Sequence, residues 1–180
     1  ARYDKIHMFD VTLPDGKVIR ESSAYCPGDR AVTAETPWGR LGMSVCYDLR
    51  FPVWSRNRWD NVAKRPSYDL AVYVANWPTT RIDAWDTLLK ARAIENLSYV
   101  AGVNRIGQDG HGIEHNGHSA IISPKGDAIW TNEGDETNRT VELSANSLHS
   151  FRDRFPAYLD ADDFNIEFEE YEERDLEGII

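Results

Sequence analysis

The residue best placed to do chemistry is Cys46, one of only two cysteines in the sequence. It closes a strand-like segment, Arg40 to Val45, and the residues after it are polar and turn-like. A side chain at the end of a buried strand stands at the lip of a sheet, where α/β folds bind ligands. A thiol there can attack a carbonyl carbon once it is ionised or has a base beside it. The plain alternative is a small buried hydrophobe. Cys26 has weaker context and reads as structural. His111-x3-His115-x2-His118 raises a rival chemistry, because imidazole is a common zinc ligand. That segment is Gly-rich, does not read as a helix and has no H-E-x-x-H pattern, so it is read as a solvent loop that approaches the site. Arg50 could grip a substrate carboxylate through its planar fork, or lock the turn after Cys46 by pairing with a buried acid; the second is the expectation. Trp77 ends a buried strand beside a turn and reads as a pocket wall, with plain core as the alternative. Arg92 and Glu95 lie three apart on a helix, where a surface pair is the simple account.

The elements that must position these residues follow from pattern. Residues 2–11 read as extended and end in turn chemistry at Pro14-Asp15-Gly16. Residues 17–30 look irregular, with a turn at Pro27-Gly28-Asp29. Strands Ala31 to Thr36 and Arg40 to Val45 form a hairpin around a three-residue connection, Pro37-Trp38-Gly39. Pro52 can open a short helix over 52–62. Asp69 to Ala75 is a nearly continuous apolar run, as in a strand buried on both faces. Ile82, Trp85, Leu88, Leu89 and Ala93 recur near helical spacing and predict a helix from Ile82 to Leu97. Ser98 to Val103 is another strand, and 105–117 a loop. His118 to Ser123 and Ala128 to Thr131 flank a hairpin turn at Pro124-Lys125-Gly126-Asp127. Thr140 to Leu143 adds a strand, and Ala145 to Arg154 a last helix. Strands and helices alternate between terminal hairpins, a layered α/β or α+β pattern.

The 180 residues suit one domain, read as 1–166, followed by an acidic tail over 167–180 that reads as a solvated face. Hydrophobic residues make up 41% and aromatics 11%, enough for a core and against disorder. The net charge of −10 gives no support to a nucleic-acid partner. Reduced thiols fit a cytoplasmic protein, and there is neither an apolar run long enough to span a membrane nor a signal-peptide pattern. The first residues, ARYDKIHMFD, open directly on a strand-like segment without an initiator Met, which leads to the expectation that the chain starts inside a longer protein.

Several motifs together resemble one family. Gly42-Met43-Ser44-Val45-Cys46-Tyr47-Asp48-Leu49-Arg50-Phe51-Pro52 resembles the nucleophile motif of the nitrilase superfamily, the carbon–nitrogen hydrolases. Tyr3-Asp4-Lys5-Ile6-His7-Met8-Phe9-Asp10 resembles its lysine motif, and Asn76-Trp77-Pro78, Arg92-Ala93-Ile94-Glu95-Asn96 and Ser123-Pro124-x-Gly126 follow in the same order. VYVANWP and ARAIENLSYVAGVNRIG are most similar to the omega-amidase branch, which hydrolyses the terminal amide of 2-oxoglutaramate and similar dicarboxylate monoamides.

The resemblance implies an α+β fold, an α-β-β-α sandwich of the nitrilase type with two sheets flanked by helices and its first elements missing here. It implies a homodimer acting on a small-molecule amide, with no metal or organic cofactor. Cys46 would attack the amide carbon, Lys5 and the Tyr47 N–H would hold the oxyanion, and Glu21 would orient the cluster. Tyr47, Arg50, Phe51 and Trp77 would face the substrate, and Arg92 and Glu95 would belong to a buried network. Ammonia leaves only if protonated, so a general acid is required. The family places that glutamate upstream of the lysine. Only four residues precede Lys5, and none is a glutamate. The expectation is an enzyme whose 180-residue piece is inactive alone. A nitrilase, an N-carbamoyl amidohydrolase and a non-catalytic interaction module are the alternatives.

Overall fold

The computed structural model describes residues 1–13 and 16–167. In chain order the strands are β1 (Asp10–Thr12), β2 (Val18–Arg20), β3 (Val32–Thr36), β4 (Gly39–Val45), β5 (Trp59–Asp60), β6 (Arg65–Pro66) and β7 (Leu70–Ala75). Helix α1 (Ile82–Asn96) follows, then β8 (Tyr99–Asn104), β9 (Ile106–Gln108), β10 (Glu114–Ile122), β11 (Ala128–Glu133) and helix α2 (Ala145–Arg154). A seven-stranded sheet runs in the order β11-β10-β8-β7-β4-β3, with β9 beside β10, and β1–β2 and β5–β6 are separate two-stranded ribbons. The fold is α+β.

Strands β4, β7 and β8 run parallel, with Val45 opposite Val74 and Ala75 opposite Asn104. Their C-terminal ends therefore lie side by side, and Cys46 emerges beside Asn76. The β7 and β8 sequences, LAVYVA and YVAGVN, are rich in β-branched and aromatic residues that fit a buried pleat. Helix α1 covers one face of the sheet. Trp85, Leu89, Arg92, Ala93 and Asn96 are its buried residues, at the spacing of a single helical face. Trp85, Leu89 and Ala93 join Ala71, Tyr73, Val100, Ala120 and Ile122 in the core. Burying Trp85 and Leu89 contributes roughly 1.5–3 kcal/mol for each large side chain. The helix sits close because of Gly102, where a Cβ would fall 2.5 Å from the Leu89 side chain and 2.8 Å from that of Trp85. Leu97 ends the helix in the left-handed conformation, φ 46°. Arg152 of α2 locks that helix down, donating to Leu97 O and Tyr68 O at 2.8 Å each and to Asp69 Oδ1 at 2.6 Å.

By register, the opposite face carries Leu41, Met43, Val45, Val72, Val74, Ala101, Val103 and Ile121. Val74 and Val103 are 46% and 52% exposed. An apolar sheet face of this kind is what the second sheet of a sandwich covers.

The structure departs from the sequence expectations in several places. The helix expected over 52–62 is absent. Asn57 is buried and spends its side chain on Tyr68 O at 2.9 Å, Asn96 O at 3.1 Å and Tyr68 N–H at 3.0 Å, which ties it to the core instead of a helix. Asp60 Oδ1 then accepts from Val62 and Ala63 at 2.9 Å each and turns the chain into the β5–β6 ribbon. The β3–β4 connection is two residues long, because Gly39 already pairs with Thr36. The expected loop over 105–117 contains a hairpin, β9 against the start of β10, closed by Asp109 Oδ1 accepting from His111 at 2.8 Å and Ile113 at 2.9 Å. Residues 17–30 begin with β2, paired to β1. Residues 140–143 form no strand: Val141 and Leu143 alternate in burial with exposed neighbours, but no strand pairs with them among the described residues. Pro14 and Asp15 of the expected turn, and the tail beyond Glu167, lie outside the described residues.

Candidate active site

The β1–β2 ribbon brings Lys5 and Glu21 together. Phe9 immediately precedes β1 and Glu21 immediately follows β2, and the ribbon pairs Asp10 with Arg20. Glu21 N–H thus donates to Phe9 O at 3.4 Å, and Phe9 N–H donates to Glu21 Oε2 at 2.7 Å. The same Oε2 forms an ion pair with the Lys5 ammonium. Lys5 is only 11% exposed, so its charge is held away from bulk water. Gly28 backs this segment. Its N–H donates to Lys5 O at 2.7 Å, and a Cβ there would fall 2.3 Å from Asp4 O. Glycine is required here by a close backbone approach, not by the turn expected at 27–29, where no turn forms.

Cys46 starts the short 3-10 turn Cys46–Arg50 and has φ 49°, a left-handed conformation that costs about 1–3 kcal/mol for a non-glycine residue. The thiol packs against the core. Burial, helped by the nearby Glu21 carboxylate, pushes it up in pKa; the Lys5 ammonium and the backbone N–H groups of Asn76 and Tyr47 pull the other way, and the net direction is up. The cysteine rests as a thiol, in a field that favours its anion once a proton acceptor is present. Nothing in the sequence singled out the Asn76 N–H, which depends on the parallel register of β4 and β7.

The lysine segment and the Cys46 turn meet at Asp48, which is buried to 3% exposure. Tyr3 Oη donates to Asp48 Oδ2 at 2.7 Å, His7 N–H donates to Oδ1 at 3.0 Å, and His7 Nδ1 lies 2.9 Å from Oδ1. Val45 N–H donates to Oδ2 at 3.0 Å. Burial opposes ionisation, but the bonds from His7, Tyr3 and Val45 outweigh it and hold the carboxyl below its ordinary range.

Around Cys46 stands an aromatic wall. Phe51 stacks on His7 at 3.7 Å, and Tyr47 meets Phe51 edge-on at 5.1 Å and Phe9 at 5.0 Å. Trp77 is 3% exposed and belongs to the core, with Trp85 at 5.5 Å, yet one face carries the Arg50 guanidinium at 5.0 Å. Arg50 is exposed, and among the described residues it pairs with no carboxylate, so the expected lock on a buried acid is not made. Arg81 lies over the Phe9 ring at 5.6 Å. The turn is locked instead by Arg92, whose Nε and Nη2 donate to Leu49 O at 3.1 and 2.7 Å and whose Nη1 donates to Glu95 Oε1 at 2.9 Å. Arg92 is 4% exposed, so the pair with Glu95 is no surface pair. A cleft of about 550 Å³ lined by Arg40, Ser44, Tyr68 and Tyr73 touches none of Cys46, Lys5 and Glu21.

The histidines do not converge. His111 Nδ1 lies 3.0 Å from Lys17 Nζ, His115 is buried with Nδ1 3.3 Å from Gly107 O, and His118 Nδ1 lies 2.8 Å from Asp86 Oδ2. No cluster of three potential metal ligands occurs among the described residues.

A Lys5–Glu21 ion pair and a cysteine at the ends of three parallel strands agree with comparisons to known proteins. The profile of the carbon–nitrogen hydrolase family matches residues 1–153. The chain belongs to the carbon–nitrogen hydrolases. Among its relatives, the omega-amidase YafV of Escherichia coli (strain B / BL21-DE3) is 46% identical over 165 residues, covering 91% of the chain and 59% of the relative. A deaminated glutathione amidase of Yersinia enterocolitica is 37% identical, over 87% of the chain and 54% of that protein. The chain thus spans little more than half the length of these relatives. A solved CN-hydrolase superfamily protein of Xanthomonas campestris, with an arsenic adduct in its active site, has a TM-score of 0.82 at 42% identity, over 92% of the chain and 60% of that protein. The amidase of Nesterenkonia sp. AN1, TM-score 0.61 at 25% identity over 88% of the chain and 57% of that protein, was solved as a mutant with acrylamide added to its active-site cysteine. No helix among the described residues is long and apolar enough to cross a membrane.

Proposed function

We propose that the intact protein is a cysteine amidohydrolase acting on the terminal amide of a small dicarboxylate monoamide such as 2-oxoglutaramate. The observation that carries this reading is the Lys5 ammonium, paired with Glu21 and acting on the Cys46 thiol at the strand end. The similarity to an omega-amidase supports the substrate class.

The Cys46 sulfur attacks the amide carbon, and its proton passes to a base. The oxyanion forms against the Lys5 ammonium and the Tyr47 N–H, fixed donors whose loss typically costs about 100- to 1,000-fold in rate. The base returns the proton to the amide nitrogen, the C–N bond breaks, and ammonia leaves behind a thioester. Water then attacks the thioester, gives its proton to the same base, and releases the carboxylate product with the thiol restored. Because burial keeps the thiol protonated, the base is required at the first step. Glu21 is committed to Lys5 and the Phe9 N–H, and the transfers fall to the general acid–base glutamate that the family resemblance implies. Arg50, on its Trp77 platform, takes the distal carboxylate, and Phe51 walls the site. The protein works in the cytoplasm as a homodimer, without nucleic acid or membrane partners.

The test is substrate profiling of the intact protein with acid-quench mass spectrometry. Ammonia release from 2-oxoglutaramate, with an acyl adduct on the Cys46 peptide, is the expected result. Preference for simple nitriles or N-carbamoyl amino acids would move the protein to another branch, and no adduct on Cys46 would overturn the mechanism.

A further inference from the structure

One carboxylate joins the two segments that carry the proposed chemistry. Tyr3 and His7 stand two residues either side of Lys5, in a segment that forms no strand and bends at Ile6 and His7. Both arms reach Asp48, by the Tyr3 hydroxyl at 2.7 Å and by the His7 backbone and ring at 3.0 and 2.9 Å. On the other side, Asp48 stands two residues beyond Cys46 and takes the N–H of Val45, the residue just before it, at 3.0 Å. The His7 ring further lies flat on Phe51, with 6° between the planes, at the far end of the Cys46 turn. Asp48 thus spans the two segments, with Oδ1 taken by His7 and Oδ2 shared between Tyr3 and Val45, and its burial makes the partial loss of either set costly.

We infer that Asp48 is a positioning residue that fixes the Lys5 ammonium relative to the Cys46 sulfur, with Tyr3 and His7 as its arms. It rests on the reading of Cys46 and Lys5 as nucleophile and oxyanion partner. Asp48 itself touches no reacting atom: its carboxylate is filled by four donors and neighbours of the protein. Loss of an arm leaves Cys46, Lys5 and Glu21 chemically intact but frees the lysine segment. The ammonium then holds the thiol down less, and the oxyanion loses its aimed donor.

The experiment compares Tyr3→Phe and Asp48→Asn in the intact protein, with folding checked by circular dichroism. It reads kcat and KM for the hydrolysed amide, and the pH profile of iodoacetamide alkylation at Cys46. A misplacement near 1 Å can cost about 100-fold, so kcat should fall about 10-fold in Tyr3→Phe and about 100-fold in Asp48→Asn, with KM within about twofold. The alkylation profile should move to higher pH in both. Unmoved profiles, or losses confined to KM, would overturn the inference. Should Asp48→Asn fail to fold, Tyr3→Phe decides alone, since it removes one hydroxyl from a partly buried residue. Alkylation needs no substrate: a wild-type protein that releases no ammonia defeats the functional reading, while the profiles still decide the role of Asp48.

Discussion

Replacing Arg92 with Met tests how the nucleophile turn is held. Met keeps the aliphatic bulk and removes the fork that grips Leu49 O at 3.1 and 2.7 Å. Leu49 is fully buried, so its carbonyl has no water to turn to. Hydrogen bonds from a charged donor are worth about 1.5–3 kcal/mol, and an orphaned buried acceptor costs about 1–3 kcal/mol. Both figures describe the same carbonyl and overlap. The partner Glu95 is 31% exposed and its ion pair adds little, under about 1 kcal/mol. The expected loss is about 3 kcal/mol, among the larger effects of a single substitution. Urea unfolding of the intact protein at neutral pH measures it, as a lowered midpoint at unchanged slope. Arg92→Lys should recover less than half, because a single ammonium does not reproduce the fork. A loss below about 1 kcal/mol for Arg92→Met would refute the claim that this contact locks the turn.

Gly28→Ala places a Cβ within 2.3 Å of Asp4 O, and backbone must move, so Lys5 shifts; kcat should fall about 10- to 100-fold with stability less affected, measured by steady-state kinetics beside thermal melting. Arg50→Met should raise KM for a dicarboxylate monoamide about 10- to 100-fold, the loss of one charged hydrogen-bonding group, and leave an uncharged amide of the same length unchanged. Equal effects on both substrates would remove Arg50 from carboxylate binding. Asp48 has a folded pKa below its unfolded value near ~3.9, so its contribution to stability is present above that pH and is lost as pH falls through the folded value. Stability measured by urea unfolding should therefore decline on the acid side, and Asp48→Asn should flatten that decline; an unchanged slope would show that Asp48 is not among the linked groups.

Much of this arrangement was legible in the chain, because its signals are local. The apolar runs of β7 and β8 marked the central strands, and the spacing of Trp85, Leu89 and Ala93 marked α1. Cys46 at a strand end was visible for the same reason. The missed features depend on distant partners. Asn57 bonds to Tyr68 and Asn96, which no local pattern around 52–62 announces. The Asp48 contacts join positions 45 and 41 residues apart for Tyr3 and His7. No local pattern announces them: residues 2–9, read as extended, form no strand and bend at Ile6 and His7. Spacing alone read Arg92 as half of a surface pair, because helical spacing does not say which face a helix buries, and the family resemblance pointed to the buried network instead; Trp85, Leu89 and Arg92 share that face, and the guanidinium is accepted in the core because Leu49 O is there to receive it.

The most direct measurement is ammonia release by Cys46→Ala of the intact protein, purified and shown to melt as the wild type does. The account predicts a loss of amide hydrolysis by several orders of magnitude, with the fold retained. Turnover near the wild-type rate would contradict it, since no thioester could then lie on the path.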